Sequence, residues 1–148
     1  MDLKKVVKKD ICMIGMITYI AEEFDVFLKK ELKKRKIPIL PKHAGLFIVL
    51  YSNGYRMEFK ELAEVWRKST STLCDVVARY EEERLLEKLP AVINKKSITV
   101  GLTSDAIKYE KDFNEIGRIF IENMTSTISQ DQSENFKFVL TEMMKSFI

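Results

Sequence analysis

Apolar residues recur at three- and four-residue steps along most of the chain, and the breaks between these runs predict its elements. Leu3, Val7, Ile11, Ile14, Ile17, Ala21, Phe24, Leu28 and Leu32 keep helical spacing over about eight turns. A second row, Val6, Met13, Met16, Ile20 and Phe27, lies beside the first. Together they form a stripe wider than a surface helix of a monomer needs, so this helix is expected to bury one side in its own core and the other in a subunit interface. Lys4, Lys5, Lys8 and Lys9 make membrane-surface binding the rival reading. A basic end, Lys29 to Lys36, suits the helix C-terminal dipole, and Pro38 stops the helix. Pro41 opens a second helix with Ala44, Phe47, Ile48 and Tyr51 facing inward, ended by Asn53-Gly54.

The middle of the chain carries two short helical faces in succession. Phe59, Leu62, Ala63 and Val65 or Trp66 mark the first, and Leu73, Val76, Val77 and Tyr80 the second, with a polar break at Arg67-Lys68-Ser69. Two strand patterns follow, Leu85 to Leu89 and Ser97 to Leu102, around a loop with Asn94-Lys95-Lys96. Thr103 or Ser104 can cap the next helix, which shows Ala106, Tyr109, Phe113, Ile116, Phe120 and Met124 on one face. After a polar break from Ser126 to Ser133, a last helix carries Phe136, Leu140, Met143 and Phe147, with Asp131 and Glu134 resembling a capping pair. The predicted fold class is mainly α with a small β-hairpin wing: a winged helix-turn-helix flanked by long helices. Residues 1–148 are read as a single domain. Within it, 37–103 form the winged helix, and 1–36 and 104–148 supply dimerisation helices.

Bulk composition leaves this picture intact and excludes several classes. The 148 residues suffice for a sizeable core, and 5 Gly and 3 Pro favour helices over a turn-rich β fold. No apolar run reaches the roughly 18 residues of a membrane span. The basic then apolar N-terminus lacks a cleavage site and runs into Glu22-Glu23, so a signal peptide is not expected. Cys12 and Cys74 lie far apart, which fits a reduced, cytoplasmic protein. The net charge of +3 is uneven: +4 over 1–36, +2 over 37–103 and −3 over 104–148. Positive charge therefore sits in the first two segments, which permits a nucleic-acid partner without requiring one. No Ser-His-Asp set, CxxC, HExxH or phosphate-cradling glycine loop is present, so no enzyme activity, metal or cofactor is expected.

The order of elements and the run from Leu62 to Thr103 resemble the MarR family of bacterial transcription regulators. The resemblance rests on Leu62-Ala63-Glu64-Val65, the Ser69 to Arg79 helix, Arg84-Leu85-Leu86, Asn94-Lys95-Lys96 and Leu102-Thr103, which match the family's spacing without gaps. Five positions depart from it. Arg67 stands for the turn glycine and Lys68 for the aliphatic residue after it. Arg84 stands for the glycine before the wing strand, and Asn94 and Lys96 for the wing Asp and Arg. Each lost glycine requires either that the backbone avoid positive φ or that strain be accepted. Lys96 keeps the charge but not the flat bidentate contact of arginine.

The resemblance implies a homodimer that reads a pseudo-palindromic double-stranded DNA operator, acting as a repressor tuned by a small-molecule effector. The expected DNA-contacting residues are Arg67 and Lys68 in the turn, Ser69, Thr70, Ser71 and Thr72 at the start of the second helix, Asp75 and Arg79 along it, and Lys95 and Lys96 at the wing tip. Ser69 equally suits plain N-capping, and Arg79 equally suits pairing with Glu82 or Glu83. Tyr19, Phe24, Phe47 and Tyr51 are candidates for an effector pocket and equally good core. Some relatives sense peroxides through a first-helix thiol, which makes Cys12, near Lys8 and Lys9, a redox candidate beside its plainer role as a small interface hydrophobe. His43, the only histidine, lies at an anion-friendly helix start. A winged-helix protein-interaction module with lost DNA binding is the alternative of a different class, favoured by Asp75 and the altered wing.

Overall fold

The computed structural model describes residues 13–90 and 97–148. Helix α1 is described over Met13–Lys34, and a 3-10 turn at Pro41–His43 leads into α2, Ala44–Ser52. Strand β1 is Arg56–Glu58, α3 is Phe59–Trp66 and α4 is Thr70–Glu82. Strands β2, Leu86–Pro90, and β3, Ile98–Leu102, form the wing. Helices α5, Ser104–Ile107, α6, Glu110–Met124, and α7, Gln130–Lys145, complete the chain. The residues fall into two compact units divided between Asn114 and Glu115.

The expected hairpin is a three-stranded antiparallel sheet in the order β1-β3-β2. Strand β3 is central. It pairs Leu86 with Leu102 through Pro90 with Ile98 on one edge, and Arg56 with Gly101 through Glu58 with Thr99 on the other. The sheet closes over a core in which Leu46, Phe47, Leu50, Leu62, Leu73, Val77, Tyr80 and Val100 are wholly buried. Phe47 meets Tyr80 edge-on with ring centroids 5.0 Å apart. Ile48, expected inside, is 41% exposed; Leu46 and Leu50 take the inner face of α2. The long helix expected after the wing is interrupted. Thr103 accepts from the Ala106 N–H and caps α5, and a turn at Lys108-Tyr109 precedes α6. The cap of α7 is also other than expected: Ser129 and Gln132, not Asp131 and Glu134, form a reciprocal capping box.

Three helices of the first unit end in the same way. Lys36, Arg67 and Arg84 have φ of 56°, 55° and 59°. In each case the residue itself bonds back three residues and its successor bonds back five: Ile37 to Leu32, Lys68 to Ala63 and Leu85 to Tyr80. This is the Schellman arrangement, in which glycine normally occupies the left-handed position. The expectation that the chain either avoids positive φ or accepts strain at Arg67 and Arg84 is thus met by strain. A left-handed non-glycine residue costs roughly 1–2 kcal/mol, part of which a cation recovers beside the helix C-terminal carbonyls. Glycine would in turn lose about 0.5–1 kcal/mol of unfolded-state entropy. With the lost cation also deducted, Arg84→Gly is expected to raise stability by a net of no more than about 0.5 kcal/mol, visible as a melting temperature about one to two degrees higher. An Arg84→Val variant, β-branched at the same φ, should melt lower than wild type. Equal melting temperatures for all three proteins would show that this position carries no strain.

Polar contacts bind the end of α1 and the start of α6 to the winged helix. The Arg35 guanidinium reaches Glu31 at 3.2 Å and Asp112 at 3.0 Å. Tyr55 donates to Glu110 at 2.7 Å, and Tyr51 donates to the Ala106 carbonyl at 2.7 Å while its ring packs on Phe113. Burial is the main reason that the Tyr51 hydroxyl stays protonated far above its ordinary range, with Glu110 adding to the effect.

The two units also expose large apolar side chains. Among the described residues α7 buries none, and Phe136, Leu140, Met143 and Phe147 are 39%, 42%, 44% and 77% exposed. On α1, Met13, Ile14, Met16, Ile17 and Ile20 are all exposed. The first-helix residues before Met13 that belong to the same stripe lie outside the described residues.

Candidate nucleic-acid interface

Helix α3 and helix α4 are joined by a turn only three residues long. Arg67 turns the chain in the left-handed conformation, Lys68 closes the six-residue loop onto Ala63, and Ser69 starts α4 with extended φ and ψ. Ser69 Oγ accepts from the Thr72 N–H at 3.1 Å and donates to Thr72 Oγ1 at 2.9 Å. The capping reading of Ser69 is thus realised, and it also occupies the Thr72 hydroxyl. Leu73, Val76, Val77 and Tyr80 hold α4 against the core. That spacing leaves Thr70, Ser71, Thr72, Cys74, Asp75, Ala78 and Arg79 exposed on the opposite face. No side chain of this face is bulky before Arg79, so a flat surface could approach the helix closely.

The expected contact residues are divided by the structure. Arg67, Lys68, Thr70, Ser71 and Asp75 share the exposed region around the turn and the first half of α4. Arg79 lies on the same helix but reaches Glu83 at 3.4 Å and stands over the Tyr80 ring at 5.8 Å. Lys95 and Lys96 at the wing tip lie outside the described residues, as do Asn94 and the redox candidate Cys12. The strands that carry the tip are ordered in register, and Lys88 of β2 is tied back to Glu81 of α4 at 3.1 Å. Phe47 is wholly buried in the core and Tyr51 is committed to Ala106, whereas Tyr19 and Phe24 lie half-buried on α1.

Sequence reasoning missed Lys60. An open depression at the start of α4 is lined by Lys60, Ala63, Glu64, Lys68, Ser69 and Thr70. The i, i+4 step of Lys60 and Glu64 on α3, with Lys68 in the turn just past its end, is the signal that points to it. Lys68 also stands over the Trp66 ring, 5.7 Å from the centroid. Two lysines thus line the depression at the start of a 13-residue helix, whose N-terminal N–H groups favour anions.

His43 has a structural task. Its Nδ1 lies 2.8 Å from the Tyr80 hydroxyl, which also accepts from the Leu40 N–H at 3.1 Å. The neutral imidazole carrying its proton on Nε2 is the tautomer whose Nδ1 can accept the Tyr80 hydroxyl proton; the Nδ1–H tautomer would donate to the hydroxyl oxygen instead. Burial first, then Lys42 and Arg79, pushes the His43 pKa below its ordinary value. The contact anchors α4 to the turn before α2. No group of His, Cys, Asp and Glu able to hold a metal ion occurs among the described residues.

Comparison with solved structures gives this arrangement a context. The chain aligns with a MarR transcriptional regulator from Methanosarcina mazei Go1 at a TM-score of 0.79 and 17% identity, covering 88% of this chain and 92% of that one. The S. aureus MepR-DNA complex aligns at a TM-score of 0.76 and 18% identity, over 93% and 99% of the two chains. A MarR family regulator from Silicibacter pomeroyi aligns at 0.74 and 22% identity, over 90% and 88%. No family model and no curated protein sequence matches the chain. The fold is that of the winged helix-turn-helix proteins. In particular it is the fold shared by MarR-family transcriptional regulators, over nearly the whole chain.

Proposed function

We propose that this chain is a homodimeric, cytoplasmic DNA-binding transcription regulator, a repressor whose grip on a pseudo-palindromic operator is tuned by a small-molecule effector. The observation that carries the reading is the exposed start of α4, with Lys60 and Lys68 beside helix N-terminal N–H groups and a row of small polar side chains facing outward. That S. aureus MepR, of the same fold, has been solved with DNA supports it. In this reading α4 enters the major groove, Lys60, Arg67 and Lys68 hold the phosphates, and the wing carrying Lys95 and Lys96 lies along the adjacent backbone. The exposed apolar stripes on α1 and α7 are the faces a second copy covers. A 16-residue helix burying none of its side chains has little stability of its own.

Salt dependence tests the DNA step. A dimer neutralising about six phosphates should show log affinity falling against log salt with a slope of roughly −5. Lys60→Ala and Lys68→Ala should each weaken binding to all sequences alike and reduce the slope by about one per operator half-site. Absence of duplex binding at low salt would instead favour the protein-interaction reading.

A further inference from the structure

The exposed face of α4, which the proposed function sets against DNA, carries an acid, Asp75. Asp75 is exposed on the same stripe as Ser71, one turn before it, and Ala78, one turn after it. Arg79 lies four residues on, the natural helical partner, yet it turns to Glu83. Among the described residues Asp75 makes no ion pair. Ser69 and Thr72 are engaged with each other. Thr70, Ser71, Cys74 and Asp75 are exposed on this half of α4, and the Thr72 hydroxyl, which accepts from Ser69, keeps its own proton to donate.

An ionised carboxylate only accepts hydrogen bonds. In the major groove guanine offers N7 and O6, both acceptors, and thymine offers O4 and a methyl group. Adenine has a donor at N6, but its acceptor N7 lies beside it. Cytosine offers the N4 amino group with no neighbouring acceptor of its own. Phosphates repel the carboxylate, so it weakens binding wherever no amino donor faces it. Resting on the DNA-binding reading above, we infer that Asp75 is a specificity-determining residue that selects a cytosine at one symmetric position in each operator half-site and penalises binding to unrelated duplex.

Selection from a pool of randomised duplexes, using the full chain as wild type, Asp75→Asn and Asp75→Ala, tests this. Asp75 is exposed, so all three should fold, and circular dichroism checks that they do. Wild type should select cytosine over guanine by about tenfold at one position per half-site. Asp75→Asn, able to donate and accept together, should move the preference to adenine at that position. Asp75→Ala should lose the preference there, keep the rest of the consensus, and bind unrelated DNA more tightly than wild type. One unchanged consensus in all three proteins would overturn the role of Asp75 and leave the regulator reading standing. Failure of the wild type to enrich any sequence would overturn both.

Discussion

Replacing Tyr80 by alanine is expected to cost about 3–5 kcal/mol of folding stability, and by phenylalanine about 1–3 kcal/mol. Tyr80 is fully buried at the meeting of α4, α2 and the turn before it, edge-on to Phe47 and His43. Phenylalanine keeps that packing but leaves the Leu40 N–H and His43 Nδ1 without their shared partner. The same contact predicts an acid sensitivity. The folded-state pKa of His43 is lowered, so its contribution to stability is complete above the unfolded value of about 6.5 and is lost as pH falls below it. Urea midpoints of wild type should drop between pH 7 and pH 5.5 more steeply than those of His43→Gln. Parallel curves would show that His43 is not held neutral by the fold.

Breaking the dimer should have the larger functional effect. Phe136→Glu together with Leu140→Glu places two charges on the exposed stripe of α7, where neither side chain is buried within the described residues. The winged-helix core should stay folded, whereas α7, which buries none of its own side chains, should lose helix content once no second copy covers it. Sedimentation should report monomers, and operator affinity should fall by about a hundredfold or more, because two linked reading heads bind together far more tightly than one. A double variant that stays dimeric would remove α7 from the interface. One that becomes monomeric with unchanged affinity would show that one reading head suffices.

Much of this architecture is legible in the residues. The steps Leu28–Leu32, Leu62–Ala63 and Leu73–Val76–Val77–Tyr80 are core stripes in sequence and core residues in the fold. Strand β1 was missed because Arg56-Met57-Glu58 is too short for its alternation to stand out, and it exists only because β3 offers an edge. The inward face of α2 was read only in part. Ala44 and Phe47 are buried as expected, Ile48 is not, and Leu46 and Leu50 were overlooked, because nearly every residue from Ala44 to Tyr51 is apolar and periodicity has no contrast there. The strain at Arg67 and Arg84 was foreseeable only through spacing against a family in which glycine stands at those positions. Arginine by itself gives no sign of positive φ. The His43–Tyr80 bond joins residues 37 apart, a tertiary fact that no local pattern encodes. At the interface, residue types pointed to the turn and the start of α4. The diversion of Arg79 to Glu83 and the grouping of Lys60 with Lys68 required coordinates.

The central claim is that two copies of α4 read one duplex. Footprinting of genomic fragments retained by the full-length protein tests it most directly. The account predicts a protected site of two inverted half-sites, with centres about one helical turn, some 10–10.5 base pairs, apart or a multiple of that, and loss of protection when Lys68 and Ser71 are both replaced by alanine. Retention of no fragment at low salt, or protection without two-fold symmetry that survives those replacements, would contradict it.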